Sequence, residues 1–473
     1  MPSSRSDPAL PTRLAELSLS EASRLIRDRV VSPVEVTTAC LERIERHQPA
    51  LNAFITVTAD EALERARAAE REIAGGRWLG PLHGIPIALK DLVDVAGVPT
   101  TAASRVFAQR VPPVDAEVTR RLREAGAVLL GKLNMHELAF GASSVVSAFG
   151  PVLNPWSPAH TSGGSSSGSS VALAAGMCFG ALGSDTGGSI RQPAAFANVV
   201  GLKPTYGRVS LRGVIPLSTY NDHVGPMTRT VLDAALMLQV LAGYDPEDVT
   251  SVDLPVSDYG AALAPPPAGF RLGIARAHYF ESADSEVAAA LEAAIAVLAD
   301  VTESRRDVAV PAYLDATVFR GEIWELHKGR VEKTPELLQP DTVRRIHTGA
   351  DVDAPTYIAR RREMDELRRS SPRDFRDIDV LITPTSAAQA FEVAGAPRGF
   401  EELRSAELTT LRNTRPFNAS GLPALSVPCG FSAAGLPMGM QIVGPPGGES
   451  AVLAVAHAYQ QRTEWHQRRP PID

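Results

Sequence analysis

Residues Thr161–Arg191 read TSGGSSSGSSVALAAGMCFGALGSDTGGSIR. A run of Gly and Ser can be a flexible linker. Here it leads at once into an apolar stretch, Val171 to Gly176, that reads as a buried helix, and then into a second Gly-rich turn, Asp185 to Ser189. A linker does not sit inside a core, so the run is read as part of a site. A phosphate loop, G-x-x-x-x-G-K-[ST], is excluded because no Lys follows Gly168. Gly164, Ser166 and Gly168 do fit G-x-S-x-G, the nucleophile elbow of an α/β-hydrolase esterase. That elbow needs a preceding strand, and Asn154 to Ser162, with two prolines, is a poor one. It also needs a His, and His223, His278, His327, His347, His457 and His466 have no distinguishing context. A third reading uses no histidine: an unprotonated lysine can serve as base for a serine alcohol. Lys90 ends the apolar run GIPIALK, Gly84 to Lys90, which reads as a buried strand. Its pKa would have to fall from about 10.4 to about 7–8. A Lys-Asp pair at a strand end also fits a surface ion pair, so Lys90 gains weight only from its company.

Around this centre, helices alternate with short apolar strands. Ser18 with Glu21 forms a capping box before Ala22, Leu25 and Ile26, and Ser32-Pro33 restarts a helix through Val36, Cys40 and Ile44. Strands are expected at Leu51–Thr58, Ala127–Leu130, Leu272–Ala275, Asp379–Thr383 and Met438–Val443. Helices are expected at Glu61–Ile73, Val118–Ala125, Thr230–Ala242 and from Val287 to Leu298. The alternation implies an α/β fold with a central sheet covered by helices on both faces. Residues 1–75 read as an N-terminal helical segment packing on the core, and 76–473 as the catalytic domain. The charged stretch 305–375 would form a helical lid or excursion, or plain surface helices.

Composition narrows the class. The chain has 473 residues, 44% hydrophobic and 21% charged, enough apolar residues for a packed core. Its longest apolar run, Val171 to Gly183, is 13 residues, and a membrane-spanning helix needs about 17–25. The opening MPSSRSDPALPTR lacks the apolar centre of a signal peptide. The net charge of −7 leaves no basic footprint for nucleic acid. Cys40, Cys178 and Cys429 are far apart and odd in number, so no disulfide framework is expected and a cytoplasmic location is the default. Cys178 and Cys429 read as buried thiols. His136-Glu137 does not open an H-E-x-x-H metal site, because Phe140 stands where the second His would be.

Longer blocks extend the pattern: GIPIALKD (Gly84–Asp91), GKLNMHELAFG (Gly131–Gly141), NPW (Asn154–Trp156), GGSSSGSS (Gly163–Ser170) and GSDTGGSIRQPA (Gly183–Ala194). VGLKPTYGRVS (Val200–Ser210), DHVGPMTR (Asp222–Arg229), GLPALSVPCG (Gly421–Gly430) and GLPMGMQIVG (Gly435–Gly444) follow. In this order over most of 80–445 they resemble the amidase signature family of serine amidohydrolases. The resemblance implies that family's mixed-sheet fold and a Ser–Ser–Lys triad, with Ser189 as acyl-forming nucleophile, Ser165 as bridging serine and Lys90 as base. It implies a cis peptide bond at Gly164–Ser165 and an oxyanion hole from the N–H groups of Thr186, Gly187, Gly188 and Ser189. Asp185 and Arg191 would brace the turn by an ion pair. Met135 matches a pocket-lining position, and Ser166 is a candidate substrate contact. No metal or organic cofactor is implied.

Family members cleave amides, ureas and carbamates, and the pocket walls choose among them. Those walls are expected partly from 305–375 and 385–415, where the resemblance is weakest. Met135, Phe140 and Phe149 are apolar, so the expected substrate is a small, mostly apolar amide or carbamate (urethane), cleaved without a partner chain. A homodimer is compatible with this reading. One family branch differs: the A-subunit of the glutaminyl-tRNA amidotransferase releases ammonia from glutamine for a partner. Arg344 and Arg345 here run into Ile346-His347-Thr348-Gly349-Ala350, without the Gly-Thr-Tyr-type segment of that branch. The stand-alone hydrolase is therefore the main expectation, and the glutamine-hydrolysing component of an amidotransferase is the alternative.

Overall fold

The structure, a computed structural model, describes residues 14–264, 268–394 and 399–472. The opening 13 residues, and with them the signal-peptide reading and the start of segment 1–75, lie outside the described residues, as does 395–398 of the expected pocket wall.

Eleven strands form one sheet: β1 (Phe54–Val57), β2 (Pro86–Lys90), β3 (Val128–Leu133), β4 (Gly180–Ser184), β5 (Val200–Lys203), β6 (Val224–Thr228), β7 (Arg271–Ile274), β8 (Ser304–Asp307), β9 (Val380–Pro384), β10 (Ala424–Phe431) and β11 (Pro437–Val443). Their order is β1-β3-β2-β4-β6-β5-β10-β11-β9-β7-β8. β2 runs parallel to β3 and β4, and β7 parallel to β8 and β9. The remaining pairs are antiparallel, so the sheet is mixed. β2, β4, β6, β9 and β11 are buried at every residue, which requires cover on both faces. The α/β class read from the sequence is the one observed.

Local chemistry sets the helix ends. Ser18 and Glu21 make the expected capping box at the helix Leu19–Arg27, and Ser32 with Glu35 makes a second at Pro33–Leu51. Thr230 caps Val231–Leu241 by accepting from the Asp233 N–H at 3.2 Å. The Asp233 carboxylate in turn accepts from the N–H groups of Leu19 (3.1 Å) and Ser20 (2.9 Å). One buried carboxylate thus ties the first long helix to the core. Cys40, Cys178 and Cys429 are buried free thiols, and no helix among the described residues is long and apolar enough to cross a membrane.

Two strands depart from the pattern expected of strands. β4 is Gly-Ala-Leu-Gly-Ser, poor in β-formers. Its glycines are forced by close approach: a Cβ at Gly180 would lie 2.5 Å from Met237 Sδ. β8, Ser-Arg-Arg-Asp, is exposed throughout and sits at the sheet edge, where charges discourage pairing with another chain. Between β8 and β9 the chain forms the helices Thr317–Lys333, Pro340–His347 and Ala354–Ser370. The last buries Met364 alone, which explains the weak apolar pattern of 305–375.

Asp233→Ala is expected to cost about 1–3 kcal/mol, because it strands two N–H donors near the core. The melting midpoint should fall, and limited trypsin digestion should cut first after Arg24 or Arg27. An unchanged midpoint and digestion pattern would contradict the tether.

Candidate active site

β2 and β4 run side by side, with Leu89 opposite Leu182, and both end at one place. In open α/β sheets ligands bind beyond the carboxyl ends of the strands. Lys90 closes β2 and Ser184 closes β4 there. Lys90 is fully buried. Its Nζ lies 2.7 Å from Ser165 Oγ, 2.9 Å from Ser166 Oγ and 2.8 Å from Ser184 Oγ. Asp91, next in sequence, pairs instead with Lys132 at 3.0 Å. The surface ion pair considered for Lys90-Asp91 is therefore not what forms. Burial, with no contacting carboxylate, lowers the Lys90 pKa to about 7, against a partial upward pull from Asp185 and Asp222.

The three hydroxyls differ. Ser166 Oγ donates to the Ser184 carbonyl at 3.1 Å and accepts from the Ser184 N–H at 3.2 Å. Its one proton is committed to that carbonyl, so toward Lys90 it acts as an acceptor. Ser165 Oγ has no such backbone acceptor among the described residues. The peptide bond before it, Gly164–Ser165, is cis. Ser166 is fully buried, held between Lys90 and the Ser184 backbone. It opens the helix Ser167–Ala174, but no strand leads into it, so the hydrolase elbow does not form.

The Gly-rich turn after β4 is organised by Asp185. This buried carboxylate accepts from the N–H groups of Gly188 (2.7 Å) and Ile190 (3.1 Å), from Arg191 Nε (2.9 Å) and Nη2 (2.8 Å), and from Asn418 Nδ2 (2.8 Å). Burial alone would raise its pKa, but the Arg191 guanidinium, with Lys203, holds it well below the usual carboxylate range. Arg191 reaches on to Gln441 Oε1 (2.7 Å), Asn418 Oδ1 (2.7 Å) and the Thr414 carbonyl (3.0 Å). Gly188 has φ +132°, and a Cβ there would lie 2.1 Å from Thr414 Oγ1. Only glycine lets this turn close.

Because the Gly188 N–H points at Asp185, it is not free for an oxyanion, which corrects the expectation for that residue. The N–H groups of Thr186, Gly187 and Ser189 have no acceptor within the chain among the described residues. Thr186, Gly187 and Ser189 all line a cleft, and Ser189 is 6% exposed. Ser189 is joined to the serine run through its carbonyl, which accepts from the Ser166 N–H at 3.2 Å. Thr186 Oγ1 donates to Asp222 Oδ1 at 2.6 Å, and burial pushes the Asp222 carboxyl up to about 6.

The cleft walls are partly apolar, with Phe140, Leu217, Phe319 and Leu411. Phe140 meets Phe319 edge to face at 5.2 Å. Met135 is buried and Phe149 is 41% exposed, and neither is among the residues that line this cleft. Arg404, Arg415 and Asp315 line the cleft as well, so charged groups stand beside the apolar wall. Arg404 lies 3.5 Å from Glu407, itself paired with Arg345 at 2.6 Å. Arg415 donates to the Leu314 carbonyl at 3.0 Å and has no ion-pair partner among the described residues. His136 is buried 3.5 Å from Glu407 and belongs to that network. Sequence reasoning missed Ser184, Asp222, Arg404 and Arg415. Ser184 sat inside the quoted GSDTGGS block and could have been found; the two arginines carry no local motif.

A lysine amine thus lies buried among serine hydroxyls, and the Gly-rich turn after β4 leaves the Thr186, Gly187 and Ser189 amides without an acceptor among the described residues. The amidase family profile matches residues 35–453, and the chain belongs to that family. It is 42% identical to the A-subunit of the glutamyl-tRNA(Gln) amidotransferase of Moorella thermoacetica, covering 96% of this chain and 98% of that protein. The solved structure of 6-aminohexanoate cyclic dimer hydrolase in complex with its substrate superposes with a TM-score of 0.88 at 29% identity, over 97% of this chain and 99% of that one. The A-subunit of the Thermotoga maritima glutamyl-tRNA(Gln) amidotransferase superposes with a TM-score of 0.77 at 32% identity, over 95% of each chain.

Removing one partner of a buried ion pair costs about 3–5 kcal/mol. Arg191→Ala should therefore lose the turn and lower the melting midpoint strongly, with activity lost alongside. A variant that melts like the parent would contradict the bracing role.

Proposed function

We propose that the chain is a stand-alone amidohydrolase that cleaves the C–N bond of a small amide or carbamate, with Lys90 as base, Ser165 as proton bridge and Ser189 as nucleophile. The observation that carries this reading is the 2.7 Å contact between Ser165 Oγ and a buried Lys90 amine with a pKa lowered to about 7. A neutral amine has two N–H groups and one lone pair. Two N–H groups serve Ser166 and Ser184, and the lone pair faces Ser165. Ser165 passes its proton to Lys90 and takes one from Ser189, whose Oγ attacks the carbonyl carbon. The N–H groups of Thr186, Gly187 and Ser189 stabilise the oxyanion. The proton returns through Ser165 to the departing nitrogen, since an amine leaves only when protonated. An acyl- or carbamoyl-enzyme remains, and water activated by the same relay releases it.

A second reading, glutamine hydrolysis in an amidotransferase, is favoured by the relative at 42% identity. That kinship speaks for it more directly than for a carbamate. Arg404, Arg415 and Asp315 in the cleft also supply charges that a zwitterion would use. Against it, Arg404 already faces Glu407, and Phe140, Phe319 and Leu411 leave an apolar wall suited to a ring or chain. Arg415 is the residue that decides. It would hold a second carbonyl of a neutral substrate, or the carboxylate of glutamine.

Ser189→Ala should abolish turnover and labelling by a sulfonyl fluoride, while Ser166→Ala should retain measurable turnover. A label on Ser166 would reject the assignment. Because Lys90 works only when neutral, activity should rise with pH through about 7 and level off above it. Lys90→Ala should lose several orders of magnitude while staying folded, and near-parental activity at pH 7 would remove the proton relay. The substrate is tested with 4-nitroacetanilide, an aryl carbamate and glutamine on purified chain, in the parent and Arg415→Leu. We expect turnover of the aryl substrates without a second protein. Glutaminase activity that dominates the panel and collapses in Arg415→Leu would favour the second reading.

A further inference from the structure

The helices between β8 and β9 line the cleft with Phe319 and Met364, and one carboxylate from them also reaches the loop beside it. Glu322, on Thr317–Lys333, accepts from Ser218 Oγ at 2.5 Å and from the Tyr220 N–H at 3.3 Å through one oxygen. Through the other it accepts from the Tyr357 hydroxyl of helix Ala354–Ser370 at 3.0 Å. Ser218 belongs to a loop whose Leu217 and Ser218 N–H groups donate to Asp222 Oδ2 at 2.8 and 3.0 Å. Asp222 Oδ1 accepts from Thr186 Oγ1 at 2.6 Å. Hydrogen bonds therefore run in series from Glu322 through Ser218 and Asp222 to Thr186, three residues before Ser189. The Tyr220 ring lies under two guanidinium groups of the same excursion, Arg361 at 3.8 Å and Arg368 at 4.3 Å.

We propose that Glu322 is a positioning residue: it fixes loop 217–222, and through Asp222 it sets where Thr186 presents its amide to the reacting carbonyl. The inference rests on the reading of Ser189 as nucleophile. Tyr220 packs against Val318, Met364 and Ala419, while Ser218 and Asp222 are held by these bonds, and hydrogen bonds to a carboxylate are directional and strong. Leu217 and Asn221 of the loop also line the cleft, so a shift of the loop moves pocket wall and oxyanion donor together. Misplacement of a positioned group by about 1 Å can cost up to about a hundredfold in rate. The excursion is thus part of the catalytic frame rather than a surface ornament.

The test is the rate at which a sulfonyl fluoride labels Ser189 in the full chain, read by mass spectrometry and normalised to the folded fraction. Glu322→Gln keeps the shape of the side chain but leaves one oxygen unable to accept. It should slow labelling about tenfold and lower kcat on 4-nitroacetanilide more than it raises KM. Arg320→Ala, on the same helix but directed to Asp351, should label at the parental rate. If Glu322 acts through Ser218, adding Glu322→Gln to Ser218→Ala should change the rate by less than about twofold, as for residues in one chain of contacts. Glu322→Gln labelled as fast as the parent, slowed no more than Arg320→Ala, or additive with Ser218→Ala would overturn the proposal. A parent that takes no label at Ser189 would overturn the nucleophile reading itself and this inference with it.

Discussion

A lysine amine buried without a carboxylate in contact is the constraint on which the site depends. Moving an ammonium out of water is costly, and hydroxyl dipoles repay only part of that cost. The protein resolves it by letting Lys90 lose its proton near neutrality. Everything nearby serves that outcome. β2 and β4 end together, so the amine emerges between layers of the fold and not at its edge. Asp91, on the same strand end, is turned away and matched to Lys132, which keeps its charge from restoring the ammonium. The serine run supplies neutral partners in a space that glycine keeps narrow.

The Gly-rich turn after β4 is governed by a different ion pair. Asp185 and Arg191 gather the backbone of Gly188 and Ile190, and the bonds from Arg191 extend to β11 and to the segment that precedes Pro416. Asp185 is held well below the usual carboxylate range because the Arg191 guanidinium faces it directly, whereas Lys90 has no such partner in contact. Asp222, also buried but with hydrogen bonds only from neutral groups, is pushed up to about 6. Three ionisable groups in one neighbourhood thus have separate states, set by who touches whom.

Much of this was legible in the sequence, for physical reasons. The Gly/Ser run and the DTGGS turn are local: their function requires small residues at adjacent positions, so the signature is contiguous. Strands such as β2 and β11 announced themselves as apolar runs. β4 did not, because close contact with Met237 demands glycine where a strand ordinarily shows Val or Ile. The cleft was the least legible part. Arg404 and Arg415 reach the cleft of Ser189 across more than two hundred residues of chain, by way of the fold alone, and no spacing rule connects them. Met135 and Phe149, expected in the pocket by resemblance and by apolarity, differ in a way the sequence does not show: one is buried and the other is half exposed. Gly188 shows the same limit at finer scale: the motif offers its N–H to an oxyanion, and the fold points it at Asp185.

The central claim is the charge state of Lys90, and it can be measured without any substrate. The chain has five lysines, few enough for selective isotope labelling. Lysine side chains labelled with 13C at Cε report protonation by chemical shift, and Lys90→Arg assigns the Lys90 signal by its loss. The expected result is a titration midpoint near 7, with Lys90 largely neutral by pH 8.5. A signal that stays protonated until about pH 10, as for a lysine in water, would contradict it and leave Ser165 without a base.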